Sequence, residues 1–468
     1  MVADVVSAEA IYLGVPLTVD VHPVQVAGDV ALLTVDYSIG DGAPQDAQLT
    51  IGTLLQPPTG PIGAGGVRMV DVDAGVVHAV GEDTIEQPAT TRDAMSLTAG
   101  TSVQSQGFYA APASGTVGVL FPFLGMVLDV PVEVLPSGED LPTTPADLGR
   151  EGEITYTTAP LDAFTVAYDD SASARVVGDA ATVSLASDVL FAPDVAVLTP
   201  EATAVVVDAA QKMASVAAGG DVLVVGHTDD VASDDYNQTL SVQRAQAVTA
   251  VLSAQLGADF TVTPEGRGES EPAVPGTSPE ARSANRRVEI TFTAKENGMA
   301  VEVGGSVPAP EPTGPVATGG EQAEVTLRGE VWGVRARSVL RHGPYLVGTL
   351  EVERLAPGSG GMLEFFGSAS AGLDLKRGLP STTIVAGAHN VSLLGESSRY
   401  YPLDYVRPTA NPGEEQSRRT LADQFLSAQL DQGDVVTVTV AWPDPGGDTV
   451  SIDVPDRFRL VDVPVTEG

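Results

Sequence analysis

The sequence predicts a multidomain chain: a central α+β domain, in which helices pack on a mixed sheet, between two duplicated all-β sandwich modules of immunoglobulin-like type. Three observations carry this. At 468 residues the chain is too long for one core, since single hydrophobic cores rarely grow past about 250–300 residues. The outer segments alternate apolar and polar residues at period two, while the middle shifts to a helical period. A stretch near residue 100 also recurs, without a gap, at the C-terminus.

The N-terminal module, residues 1–134, contains PLTVDVHPVQV and DVALLTVDYSI, strand patterns bounded by Gly, Pro and Asp turns. Its last part, GTSVQSQGFYAAPASGTVGVLFPFLGMVLDVPV (100–132), aligns on GDVVTVTVAWPDPGGDTVSIDVPDRFRLVDVPV (433–465). The alignment matches Gly100 with Gly433, Tyr109 with Trp442, Pro112 with Pro445 and Pro122 with Pro455. The first copy has Leu120, Phe123, Leu124 and Met126 where the second has Asp453, Asp456, Arg457 and Arg459. A bilayer would not tolerate that exchange, and the apolar run 116–128 is too short to span one. No membrane span is expected.

Residues 135–180 read as a linker with lead-in strands, and 296–321 as a Pro/Gly-rich linker. Between them, 181–295 forms the central domain. TPEATAVVVDAAQKMASVAAGG (199–220) is a helix with Thr199 as N-cap, Pro200 in its first turn and a Gly pair past its end. DVLVVG (221–226) is a buried strand, 233–257 a second helix stopped by Gly257, and RRVEITFTA (286–294) a closing strand. The C-terminal module, 322–468, repeats the strand patterns in YLVGTLEVERL and DVVTVTVAW.

Charge narrows the function. With 62 acidic against 24 basic residues and a net charge of −38, neither nucleic acid nor an anionic membrane is a plausible partner, because both need a basic surface. The basic groups are 21 Arg and only 3 Lys, the planar forks suited to carboxylates. The chain has no Cys, and its five His fall in no metal-binding spacing. No nucleophile elbow, phosphate loop or dinucleotide fingerprint is present, so no catalytic residue, metal or cofactor is expected. The chain opens without a basic, then apolar, leader, so for an exported protein a signal or anchor lies upstream of Met1.

The central domain holds the one constellation with a chemical reading. Asp229 follows the strand DVLVVG and so lies at the carboxyl edge of a sheet. Asn237 and Arg244 lie two turns apart on one helix face, and Asn285, Arg286 and Arg287 enter the last strand. Acid, amide and guanidinium groups together suit a zwitterion: the acid pairs an ammonium and the Arg fork holds a carboxylate. Taken singly, Asp229 is a turn-capping carboxylate and Arg244 a solvated helix charge. Asp230, Asp234 and Asp235 read as solvated surface and Arg287 as an outer-face residue of its strand.

Four ordered motifs, VLFAPDVAVLTPEA (189–202), VVGHTDD…YNQTLSVQRAQAV (224–248), GRGESEP (266–272) and ARSANRRVEI (281–290), resemble the C-terminal domain of the outer-membrane-protein-A (OmpA) family across residues 183–294. The resemblance implies non-covalent binding of peptidoglycan through the diaminopimelate of its stem peptide. Asp229 would pair the ammonium and Arg244 hold the carboxylate, with Asn237 and Arg286 in support. It also implies an extracytoplasmic protein of the cell envelope. The β modules lie outside the resemblance and are read as contacts for other envelope proteins. Many members carry Asp directly after the Phe of the first strand, where this chain has Ala192, then Pro193 and Asp194. The competing readings are a cell-wall hydrolase, or an adhesion or scaffold protein, that uses the central domain only for targeting.

Overall fold

A computed structural model describes residues 4–12, 14–56, 64–122, 124–295, 298–305, 307–361, 365–366, 377–378, 387–407, 417–422 and 429–468. Strands dominate, with the helices gathered in the middle of the chain. We label the elements of the central region. Strands β1 (Thr158–Ala167), β2 (Ala172–Val177) and β3 (Ala180–Ala186) form an antiparallel meander. A single helical turn α1 (Ser187–Leu190) and helix α2 (Pro200–Val216) lead to β4 (Gly220–His227). Helix α3 (Asp234–Leu256), strand β5 (Phe260–Gly268), the short helix α4 (Pro279–Asn285) and strand β6 (Arg287–Thr293) complete it. The sheet order is β1-β2-β3-β6-β4-β5, with β4 and β5 parallel and every other pair antiparallel. The expected mixed sheet with helices is present.

Local chemistry sets the helix boundaries. Thr199 caps α2 by accepting from the Ala202 N–H at 3.1 Å, and Pro200 fills the first turn, where a missing N–H costs nothing. Ser233 caps α3, and Asp234 and Asp235 place negative charge at its N-terminal end. Val206, Ala210 and Met213 of α2 and Ala245, Val248 and Leu252 of α3 bury against Val183, Val224 and Ile290 of the sheet. Helix α3 sits close on β4 and β5 because two glycines lie beneath it: a Cβ at Gly226 would come within 2.2 Å of the Ser241 carbonyl oxygen, and one at Gly266 within 2.5 Å of Ser241 Oγ.

The repeat folds twice into the same three strands. Ser102–Ala110, Thr116–Phe121 and Gly125–Val134 correspond to Val435–Pro443, Thr449–Val454 and Phe458–Pro464. Each copy carries a register shift at the matching place, between Val117 and Val119 and between Val450 and Ile452. Each also holds an Asp at positive φ on the matching turn of chain, Asp129 at 56° and Asp462 at 52°. Tyr109 and Trp442 are both buried. Of the exchanged residues, Phe123 lies outside the described ones.

Composition divides the chain into modules on linkers, but the backbone joins them. Strand β1 pairs with Val76–His78 of the N-terminal segment and with Ser398–Tyr400 and Asp404–Arg407 of the C-terminal one. Asp162 of β1, 1% exposed, accepts two hydrogen bonds from Arg175 at 2.8 and 2.9 Å and another from Arg418. Within the stretch read as a linker at 296–321, Met299, Val301 and Val303 are buried in the core that α2 helps to form. Lys212 of α2 donates to the Gly304 carbonyl and, at 2.9 Å, to Ser397 Oγ. No helix among the described residues is long and apolar enough to cross a membrane.

Candidate functional site

The site forms where β4, α3 and the segments around α1 and α4 meet. His227, the last residue of β4, and Thr228 just past it are buried, and Asp229 turns back on its own loop, its Oδ1 accepting from the Val231 N–H at 3.2 Å. Its Oδ2 accepts from Arg286 Nη1 at 2.7 Å. Arg286 uses its remaining edge on Asp188 of α1, Nε to Oδ1 at 2.8 Å and Nη2 to Oδ2 at 2.6 Å. That bidentate bond holds the Asp188 carboxyl below its usual range and raises the pKa of the Arg286 guanidinium.

Asn237 stands on the buried face of α3 and donates through Nδ2 to the Asp229 carbonyl at 3.2 Å and to Glu269 Oε2 at 2.6 Å. It fixes the loop that carries Asp229 rather than presenting its amide outward. Arg244, two turns further on, is 5% exposed. Its guanidinium lies 5.2 Å from the centre of the Phe191 ring, and Nε donates to the Val195 carbonyl at 3.2 Å. Burial lowers its pKa, against the fields of Asp188 and Asp194. Among the described residues no carboxylate lies within ion-pair distance of Arg244. The structure thus joins Asp229 to Arg286 directly and to Asn237 through the backbone, with Arg244 alongside, electrostatically coupled to Arg286 and to its partner Asp188.

Several neighbours escape a reading of sequence alone. Phe191 does not belong to a strand: one helical turn, α1, precedes it and an irregular loop follows. In that loop Asp194, two residues beyond Ala192, adopts a φ of 58° and accepts from the Tyr236 hydroxyl at 3.0 Å. Asp230 is paired by Arg282 of α4 at 2.7 and 3.0 Å, which neutralises part of the acidic run. Asn285 turns away from the site and clamps both the N–H and the carbonyl of Val274, at 2.9 and 3.0 Å. Arg287 is buried, not on an open outer face, and donates to Glu289 at 2.7 Å and to the Glu271 carbonyl at 3.2 Å. Among the described residues no three His, Asp or Glu side chains gather as metal ligands.

This is a mixed αβ sheet domain with a charged site at the carboxyl edge of its parallel strand pair. Residues 190–286 match the model of the OmpA family, and the chain carries a domain of that family there. It is similar to outer membrane porin F of Pseudomonas fluorescens, 38% identical over 116 residues that cover 25% of this chain and 35% of that protein. To outer membrane protein A of Klebsiella aerogenes it is 33% identical over 125 residues, 26% of this chain and 35% of the other. The chain therefore spans about a third of the length of these curated relatives. Among solved structures, the cell wall anchor of the T6SS from Pseudomonas aeruginosa shares 34% identity across 27% of this chain and 90% of its own, with a TM-score of 0.24.

Proposed function

We propose that the central domain holds the chain non-covalently to peptidoglycan, gripping the diaminopimelate of a stem peptide, and that the protein is an extracytoplasmic component of the cell envelope. The observation that carries this is the state of Arg244: a guanidinium nearly removed from water, laid on an aromatic ring and without a carboxylate partner among the described residues. A buried cation is normally paired. A site that leaves one open is prepared for an anion from outside, and a ligand carboxylate fits the fork. The ligand ammonium then meets the Asp229 carboxylate, which shares Arg286 with Asp188. The role is binding and not turnover. The shared three-strand unit supports reading the flanks as two copies of one β-sandwich module, available for other envelope proteins.

The test is sedimentation of the full chain with purified sacculi. Wild type co-sediments, whereas Arg244→Ala and Arg244→Lys remain in the supernatant, the latter because an ammonium keeps the charge but loses the fork. Retention of both variants at the wild-type level would overturn the reading.

A further inference from the structure

Eleven large apolar residues are exposed among the described ones, and five of them stand around this single site: Val189, Val195, Val197, Val231 and Tyr236. Each is tied to it. The Val195 carbonyl accepts from Arg244, the Val231 N–H donates to Asp229, the Tyr236 hydroxyl donates to Asp194, and Val189 adjoins Asp188, the partner of Arg286. Val197, two residues from Val195 on the same loop, is 74% exposed. Scattered singly, such side chains would carry no message. Carried on the loops and the helix that hold the charged groups of the site, they mark a surface that a ligand covers.

We propose that this valine rim is the second half of the binding site and takes the small apolar side chain adjoining the zwitterionic residue of a peptide. On this assignment the domain reads diaminopimelate together with the alanyl methyl next to it, and not the diamino acid alone. The inference rests on the peptidoglycan reading above and narrows its ligand. The valine side chains are short and branched, so they offer apolar contact without a deep pocket, which suits a methyl group.

The experiment is isothermal titration of the full chain with two dipeptides, diaminopimelyl-D-alanine and diaminopimelyl-glycine, which differ by one methyl. For wild type the alanine ligand should bind about three- to fivefold more tightly, the effect of burying one such group. In Val197→Ser/Val231→Ser that ratio should fall to about one. Both side chains are exposed, and an unchanged thermal melt will verify the fold. Equal wild-type affinity for the two dipeptides, or a ratio that survives in the double variant, overturns the rim while leaving the peptidoglycan reading intact. Binding of neither dipeptide overturns that reading and the rim with it.

Discussion

Asp453 accepts from Arg459 Nε at 2.7 Å across a strand pair, at the places where the first copy of the repeat sets Leu120 opposite Met126. Asp453 also accepts from Arg399 Nη1 at 2.5 Å. The same backbone thus carries an apolar pair in one copy and a nearly buried ionic triad in the other. Asp453→Leu leaves two buried guanidinium groups without their carboxylate and should destabilise the chain by about 3–5 kcal/mol. Adding Arg459→Met should recover part of the loss, since Arg399 still keeps the Ser392 hydroxyl. Urea melts of the single and double variants measure both; a double variant no more stable than the single one would contradict the account.

Asp162 is the carboxylate on which Arg175 of the central sheet and Arg418 of the C-terminal segment converge. Asp162→Asn keeps the shape and removes the charge, and should cost about 3–5 kcal/mol. Because the two arginines come from different segments, hydrogen exchange should rise in both β2 and the strand Ser417–Thr420. Exchange confined to one of them would show that the bridge does not couple them.

Asp188 holds two of the three Arg286 nitrogens that act in the site. In Asp188→Asn, Arg286 is free to turn fully onto Asp229, so the ammonium of the ligand meets a neutralised carboxylate. Affinity for a diaminopimelate peptide should fall about three- to tenfold, while stability changes by less than about 1 kcal/mol because Asp188 is half exposed. An unaltered affinity by titration would show that Asp229 is not the ammonium partner.

Two groups, one buried and one half-buried, make stability depend on pH. Burial lowers the His389 pKa to about 3, helped by Arg377, so the folded state refuses a proton that the unfolded chain accepts below its ordinary value of about 6.5. Its contribution is lost as pH falls from about 6.5 towards 3. Burial alone would raise Glu289, but the His227 ring and Arg287 outweigh it and bring it to about 2. Its contribution is present above the ordinary carboxyl value and is lost as pH falls towards 2. Acid also relieves the repulsion of a chain at −38, so the measurement is a difference: Glu289→Gln should be less stable than wild type at pH 7, and the gap should close below about pH 4. A gap that stays constant from pH 7 to pH 3 would refute it.

The central helices and the repeat were legible because their determinants are local. Thr199, Pro200 and Gly257 punctuate the helices, and the matched Gly, Pro and aromatic positions fix the repeated strands. Helix α4 has an equally local signature, Ser278 as cap with Pro279 in the first turn, which the apolar alternation of the strand after it overshadows. Asp229, Asn237, Arg244 and Arg286 were singled out because their motifs occur in order. Asp188 and Asp194 were not, since among 62 acidic residues nothing in composition separates them; only the fold brings one to Arg286 and the other to Tyr236. The threefold pairing of β1 was invisible for another reason. Pairing between distant strands leaves no period in the sequence, so linkers of Pro and Gly suggested separable modules where the sheet is continuous.

That continuity bears on force. On the proposed anchoring, a protein held at the Asp229 loop and again elsewhere would stand under tension, and the load would cross β1, whose backbone is bonded to strands of all three segments. Pulling apart beads on slack string would meet resistance only from the string. Here the first event under load has to be the shearing of several strand pairs together, with the Arg418–Asp162 ion pair between segments rupturing at the same moment. Under such a load the chain would stretch little and then yield abruptly.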